Sequence, residues 1–198
     1  KRLFPGRRKF FAKARKQAKP IEPDLAIKLY CNLVPETGTK KVPDRDLHLG
    51  TLILLDACGW GRANDLKHFD IKATMDSRKG SSFGLIYLKR KMHRYVCNTM
   101  VPVREGHTAI HTALQRWLRR FKLTFDAQST RYRFFQSVDF RRKTTDTGYL
   151  SPVPMTYKKW SQCIVYALRR CNVPDPTSYS THSFRVGGAS AAYAENCE

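Results

Sequence analysis

The chain has 198 residues and is strongly basic, with 37 Lys+Arg against 16 Asp+Glu and a formal net charge of +21 at pH 7. Its length and its 41% hydrophobic and 12% aromatic residues exclude a disordered chain and indicate one folded domain. The longest apolar run, LGTLILLDAC, is too short to span a membrane. Because Lys and Arg release counterions when they bind phosphates, the charge indicates nucleic acid as the partner, not a membrane or a small-molecule substrate.

Residues 1–19 are predicted to form a basic arm or interdomain linker, with nine basic residues and no acidic one. We expect Arg7, Arg8 and Lys9 to contact the phosphate backbone of a nucleic acid. A nuclear-localisation signal is compatible with the same residues. We therefore expect nuclear localisation in a eukaryotic host, and a cytoplasmic or nucleoid location otherwise. The first residue is not methionine, which predicts a fragment or a processed chain.

Residues 20–198 are predicted to form a mainly α domain with a small antiparallel β hairpin, an α+β class. Helices are predicted for PIEPDLAIKLYCNLV, residues 44–58, GHTAIHTALQRWLRRFK and PMTYKKWSQCIVYALRRCNV. The runs SFGLIYLK and YVCNTMVPV alternate as strands do, and the basic RKMHR joins them into the predicted hairpin. Ser180 or Thr181 is predicted to cap a last helix.

The cysteines and histidines give no metal signature. Six cysteines lie apart from one another without a C-x-x-C pair, which excludes a zinc ribbon or a disulfide scaffold. Cys58 and Cys163 fall in apolar helical patterns and are predicted to be core thiols. His107 and His111 are one helical turn apart, and a surface helix pair explains them without a metal. We expect no metal and no cofactor.

A first candidate for chemistry is Arg62, which follows a glycine-bounded break, GWG, directly after an apolar helix. Such a break exposes a side chain at the edge of a core, where functional residues often lie. Asp65, three residues on, would share a helical face with Arg62 and hold its guanidinium. A surface salt bridge of little energetic value is the alternative, and this segment alone favours it.

A second candidate is the pair His182 and Arg185, which share one face near the start of the last predicted helix. Helix amides, a histidine and an arginine together form an anion-binding corner. The alternative is a plain capped helix, which this segment read alone favours equally. The following run GGASAA is poor in bulk, which predicts close packing of this helix against another helix.

A third candidate is the predicted hairpin, where Tyr87, Lys89 and Lys91 would point to one face. A lysine at a hairpin tip can enter a groove and give a proton to a leaving group. A β edge defended by lysine is the alternative, and by itself it is preferred.

Taken in order, the three segments resemble the catalytic domain of the tyrosine recombinase/integrase superfamily. LILLDACGWGRANDLKHFDI is similar to the arginine segment of that family, GLIYLKRKMHRYVCNTMVPV to its lysine hairpin, and YSTHSFRVGGASAAYA to its His-x-x-Arg helix. Within this superfamily, the His-x-x-Arg segment is most similar to eukaryotic transposable-element recombinases of the crypton and DIRS kind. The resemblance covers residues 20–198, so the domain division is an arm, 1–19, and a tyrosine-recombinase-like catalytic domain, 20–198.

The resemblance implies roles for individual residues. Arg62 and Arg185 would bind the non-bridging oxygens of a scissile phosphate in double-stranded DNA and stabilise its charge at the transition state. His182 would donate a hydrogen bond to the same phosphate or assist proton transfer. Asp65 would orient Arg62.

The hairpin would supply the general acid. Lys91, with Lys89 as the alternative, would protonate the departing 5′-oxygen, and Lys89, Arg90 and Arg94 would contact the DNA. The family needs neither metal nor cofactor, and it works as dimers or tetramers on DNA. The resemblance therefore implies DNA recombination and integration through a 3′-phosphotyrosyl intermediate.

The sequence departs from the family pattern after Arg185, because the nucleophilic tyrosine usually lies tens of residues further on. Tyr193 lies on the same predicted helix, about 12 Å along its axis, and is interpreted as a packing residue. The expectation is a C-terminally truncated chain that binds DNA without turnover, with the tyrosine present in a longer protein or supplied by another subunit. The alternatives are a domesticated, non-catalytic DNA-binding protein on the same fold and a basic RNA-binding protein, whose aromatic residues in STRYRFFQSVDFRRK would stack on bases.

Overall fold

A computed structural model describes residues 18–36, 42–59, 69–70, 82–87, 97–102, 109–121 and 155–195, the three strands by their backbone alone. The elements are α1 (Pro23–Leu33), α2 (Asp44–Gly59), β1 (Phe69–Asp70), β2 (Ser82–Tyr87), β3 (Cys97–Pro102), α3 (Ile110–Arg120), α4 (Tyr157–Arg170), a 3-10 helix (Pro176–Ser178) and α5 (Ser183–Glu195). None of the helices in these residues is long and apolar enough to cross a membrane.

Helix α2 is the centre of the described core. It packs against α1, α3 and α5, and its leucine and isoleucine side chains are buried on several faces. The sequence predicted this arrangement, because an apolar helix without a polar stripe can be stable only when other elements surround it. The last residue of α2, Gly59, lies three residues before Arg62, one of the predicted site residues.

Helix α3 confirms the predicted amphipathic stripe. Its apolar positions recur at helical spacing, and all five are buried: Ile110, Leu114, Trp117, Leu118 and Phe121. The stripe faces α2, where the Trp117 indole Nε1 donates a 2.8 Å hydrogen bond to Nδ1 of the buried His48. Since a buried indole N–H must find an acceptor, this hydrogen bond fixes the register of α3 on α2.

Helix α4 begins where Thr156 accepts a hydrogen bond from the Lys159 amide through its side-chain oxygen, at 3.2 Å. Its apolar stripe includes Cys163, and burial raises the pKa of this thiol to about 12. Cys163 is thus an inert core thiol, as predicted. Cys58 is only half-buried and packs at the edge of the core.

A Schellman motif ends α4 and turns the chain towards α5. Asn172 has the left-handed φ of 53°, and its amide donates to the Arg169 carbonyl at 3.1 Å. The Val173 amide reaches back to the Leu168 carbonyl at 3.0 Å. Asparagine tolerates this left-handed conformation better than most residues do, so the turn is encoded locally.

A polar cluster joins the start of α2 to the end of α4. The Asp46 carboxylate accepts from Arg45 Nε at 3.0 Å and from Arg170 Nη1 at 2.5 Å. The Tyr166 hydroxyl accepts from Arg45 at 2.7 Å, and the Arg45 guanidinium lies 4.9 Å from the centre of the Tyr166 ring. Because Asp46 is almost fully buried, these donors replace the water that its carboxylate loses on folding.

The predicted α+β class with a two-stranded hairpin needs correction. Every element whose side chains the structure describes is a helix, and helical residues form most of the core, with Ile21, Val42 and Met155 added from segments beside the helices. Within the described residues, three strands are defined by backbone pairing: β2 pairs antiparallel with β1 and with β3, in the order β1-β2-β3. The alternation of apolar residues predicts extended strands at β2 and β3, but it does not predict the two-residue strand β1 that pairs with β2.

Candidate functional site

A serine-containing turn precedes α5, and its hydrogen bonds position the first residues of the helix, near His182 and Arg185. The Ser180 side-chain oxygen accepts from the His182 amide at 3.1 Å, and the Ser180 amide donates to the Ser183 hydroxyl oxygen at 2.9 Å. The His182 carbonyl then accepts from the Val186 amide at 3.1 Å, which is the first helical hydrogen bond. The prediction that Ser180 or Thr181 caps this helix is therefore wrong in position: Ser180 forms a serine turn just before α5, and His182 is the residue that directly precedes the helix.

His182 directly precedes this helix, and Arg185 lies in its first turn. The His182 side chain is exposed, Arg185 is half-buried, and they are three positions apart in the sequence. The helix dipole places partial positive charge at the same end, and the arginine fork can bind two oxygens of one anion. We call His182, Arg185 and the first turn of α5 the anion corner. Its chemistry suits a phosphate group.

A buried aromatic residue between them holds the anion corner from behind. Phe184 is fully buried, and its ring stacks on Trp160 of α4 with centroids 6.3 Å apart and planes 13° apart. The Trp160 indole Nε1 donates a 3.1 Å hydrogen bond to Oδ2 of Asp56, a buried residue of α2. The anion corner is thereby connected through α4 to the helix that precedes Arg62.

The small residues that follow the anion corner pack partly as predicted. The sequence predicted contact between α5 and another helix along the run GGASAA, and α5 does contact α1 and α2. Gly187 itself, however, lies against residues 21–22, whose backbone would clash with any Cβ at position 187. Ala189 and Ser190 are exposed. The sequence therefore identified the close approach but not the extended segment that makes it.

Tyr193 is not the packing residue that the sequence predicted. Its side chain is 74% exposed near the end of α5. The residue lies on a face of α5 that no described element covers. The 13 residues of α5 have no strong apolar stripe, so the sequence pattern could not predict which face of the helix is exposed.

The remaining predicted site residues lie outside the described residues. These are Arg7, Arg8, Lys9, Arg62, Asp65, Lys89, Arg90, Lys91 and Arg94. Their described neighbours are the end of α2 at Gly59 and the strands β2 and β3, which stop at Tyr87 and resume at Cys97. The anion corner is thus the described portion of the predicted site, and the roles of the other residues stay predictions.

Within the described residues there is no group of three His, Cys, Asp or Glu side chains that could hold a metal ion. Cys31, Cys163 and Cys171 are not activated nucleophiles either. Burial raises the pKa of Cys31, with a further rise from Glu36, and burial also raises the pKa of Cys171. A thiol with a raised pKa is less often a thiolate at neutral pH and is therefore less reactive.

Comparison with known proteins places the fold. No family model and no curated protein matches the chain by sequence. Two solved structures of XerH site-specific recombinase match with a TM-score of 0.58: a pre-cleavage complex with difH substrate at 12% identity and a post-cleavage complex with palindromic difH at 11%. Each match covers 91% of this chain and 44% of the recombinase chain. The chain therefore has the tyrosine-recombinase fold and spans less than half the length of these neighbours.

Proposed function

We propose that this chain is the DNA-binding catalytic domain of a site-specific tyrosine recombinase of the crypton and DIRS kind, from a transposable element. Double-stranded DNA is its substrate and partner, and a homo-oligomer assembles on that DNA in the nucleus. The observation that carries the proposal is the anion corner, His182 and Arg185 at the open start of α5, in a chain with this fold and a net charge of +21.

In the proposed reaction, Arg185 and Arg62 bind the non-bridging oxygens of the scissile phosphate. Both arginine guanidinium groups stay protonated in proteins, so both carry a positive charge throughout the reaction. These charges stabilise the negative charge that develops as the phosphorus becomes five-coordinate. His182 donates a hydrogen bond to the same phosphate, and Asp65 orients Arg62.

The chemical step exchanges one phosphate ester for another, so it needs neither oxidant nor metal to balance. A tyrosine hydroxyl attacks the phosphorus and releases its proton to solvent, the bond to the 5′-oxygen breaks, and Lys91 protonates that oxygen and regains a proton from solvent. The product is a 3′-phosphotyrosyl ester and a free 5′-hydroxyl. We assign the nucleophile to a tyrosine outside residues 1–198, from the same or another subunit, because Tyr193 lies too far along α5 from Arg185.

A salt titration of binding tests the DNA-binding part. Duplex DNA affinity, measured by fluorescence anisotropy, falls linearly with log[salt], and each phosphate contact adds about 0.9 to the slope. We expect Arg185→Ala to lower the slope by about 1 and the affinity by about 10-fold. Arg119→Ala, which removes the same charge from an exposed position on α3, is the matched control. Equal effects of both variants would refute a specific role for the anion corner.

Competition with single-stranded RNA at matched salt distinguishes the RNA-binding alternative, which predicts that RNA wins. Catalysis is tested in the full-length protein with a nicked suicide substrate, which traps the covalent tyrosyl adduct. An adduct that disappears in Arg62→Ala and Arg185→Ala supports the recombinase. Duplex binding without any adduct selects the alternative, a domesticated DNA-binding protein without catalysis.

A further inference from the structure

The segment that leads from the basic arm into the domain crosses α5 directly behind the anion corner. We call residues 19–22 the strap. The Lys19 amide donates to the Ser178 carbonyl at 3.2 Å, and the Ile21 amide donates to the Ser183 carbonyl at 2.9 Å. The Lys19 ammonium also lies 3.4 Å from the Asp175 carboxylate. The strap is thus hydrogen-bonded on both sides of the turn that carries His182.

The contact between the strap and α5 is closer than any side chain would allow. A Cβ built on Gly187 would lie 2.0 Å from the Ile21 carbonyl oxygen and 2.8 Å from the Glu22 amide nitrogen. Real Cβ atoms do not approach backbone atoms so closely, and the backbone cannot yield as a flexible side chain does. The strap can keep this position only while residue 187 is glycine.

The strap and the anion corner occupy opposite faces of the same helix. At 3.6 residues per turn, the Cα–Cβ direction of Gly187, which meets the strap, is about 160° away from that of Arg185. The Ile21 side chain is buried and belongs to the hydrophobic core. The strap therefore fixes α5 from behind through the core and leaves the anion corner open to a ligand.

We propose that the strap is a positioning element of the anion corner, with Ile21 and Gly187 as positioning residues for Arg185. This inference rests on the proposed function, since the ligand is the phosphate of duplex DNA. A helix held by backbone hydrogen bonds and by a glycine contact keeps its first turn in one place, so Arg185 meets the phosphate without a further ordering cost. When the strap is displaced, the start of α5 is no longer held in one position, and DNA binding must also order the helix that carries Arg185.

A double-mutant cycle tests the proposal by duplex DNA affinity at constant salt. The four proteins are the unaltered chain, Gly187→Ala, Arg185→Ala and the double variant. If the strap acts through Arg185, Gly187→Ala weakens binding by about 10-fold, as Arg185→Ala does, and the double variant binds no more weakly than Arg185→Ala alone. Ser190→Ala, an exposed change on the same helix, is the control and keeps full affinity.

Additivity is the result that overturns the proposal. A Gly187→Ala chain that had lost only general stability would weaken binding further when Arg185 is already absent, and the two effects would multiply. Unchanged affinity in Gly187→Ala would overturn it equally. If the duplex does not bind the unaltered chain, the proposed function itself fails and the strap proposal falls with it, which is a different outcome from binding with additive effects.

Amide hydrogen exchange in the unaltered chain provides a second test that does not depend on how well Gly187→Ala folds. The amides of Lys19 and Ile21 donate to the strap hydrogen bonds, and they exchange only when the strap opens. Because coupling is reciprocal, a strap that favours phosphate binding must itself be held more tightly when duplex DNA is bound. We expect slower exchange at both amides on adding DNA. Unchanged exchange at a saturating concentration of duplex overturns the proposal.

Discussion

Replacement of Trp160 by phenylalanine tests whether the link between α2 and the anion corner contributes to stability as the contacts indicate. The change removes the indole N–H that donates to Asp56 Oδ2 at 3.1 Å, and it leaves an aromatic ring to face Phe184. Trp160 is fully buried, so water cannot replace the missing donor at no cost.

The magnitude follows from two contributions. A hydrogen bond to a carboxylate contributes about 2 kcal/mol, and the lost indole atoms leave a small void that costs about 1 kcal/mol more. We expect Trp160→Phe to reduce the free energy of unfolding by about 3 kcal/mol. Urea denaturation followed by circular dichroism measures this, with an unchanged m-value as evidence that the native state remains compact.

The chain contains a matched control in Trp117, which is also fully buried and donates from its indole at 2.8 Å. Its acceptor is Nδ1 of His48, which must be unprotonated there, so this hydrogen bond contributes only about 1 kcal/mol. Trp117→Phe creates a similar void and should cost about 2 kcal/mol. Equal losses in the two variants, or a larger loss at Trp117, would refute the reasoning from the charge of the acceptor.

Three further predictions concern the core. Burial raises the pKa of the Cys163 thiol to about 12, so between pH 9 and 12 the folded state keeps the thiol proton while the unfolded state loses it. The free energy of unfolding is therefore unaffected by this thiol below pH 9 and falls by up to about 1.4 kcal/mol per pH unit above it. Urea titrations at several pH values should find a smaller loss in Cys163→Ala. Gly50→Ala places a Cβ 2.8 Å from Val34 Cγ2, and since overpacking outweighs the gain in helix propensity, it should lower stability by about 1 kcal/mol; a raised melting temperature would contradict this. Asp46→Ala removes the carboxylate that lies between Arg45 and Arg170 and should lower the free energy of unfolding by about 2 kcal/mol. The control is Asp24→Ala, an exposed change on α1, which should be nearly neutral in the same denaturation assay.

The helices could be predicted from the sequence because their signals are local. The stripe from Ile110 to Phe121 repeats at helical spacing, and the apolar residues of α2 exceed what a surface helix would carry. The anion corner was visible for the same reason, since Ser180, His182 and Arg185 lie within six residues of one another.

What the sequence could not show are the contacts between distant segments. The Trp160–Asp56 hydrogen bond joins residues 104 apart, and Arg170 reaches Asp46 across 124 residues. The close approach at Gly187 left a sign in the run of small residues, but nothing in that run names Ile21 as the neighbour. The exposure of Tyr193 likewise depends on what covers α5, which no local pattern encodes.

The anchoring of Lys19 beside Ser178 sets a physical limit on how far Lys9 can lie from the domain. Lys9 is ten positions before Lys19, and a fully extended chain spans about 35 Å over ten positions. Successive phosphates along one strand of B-DNA are about 3.4 Å apart along the axis. From its anchor, the backbone of Lys9 can therefore reach only about ten base pairs along a duplex.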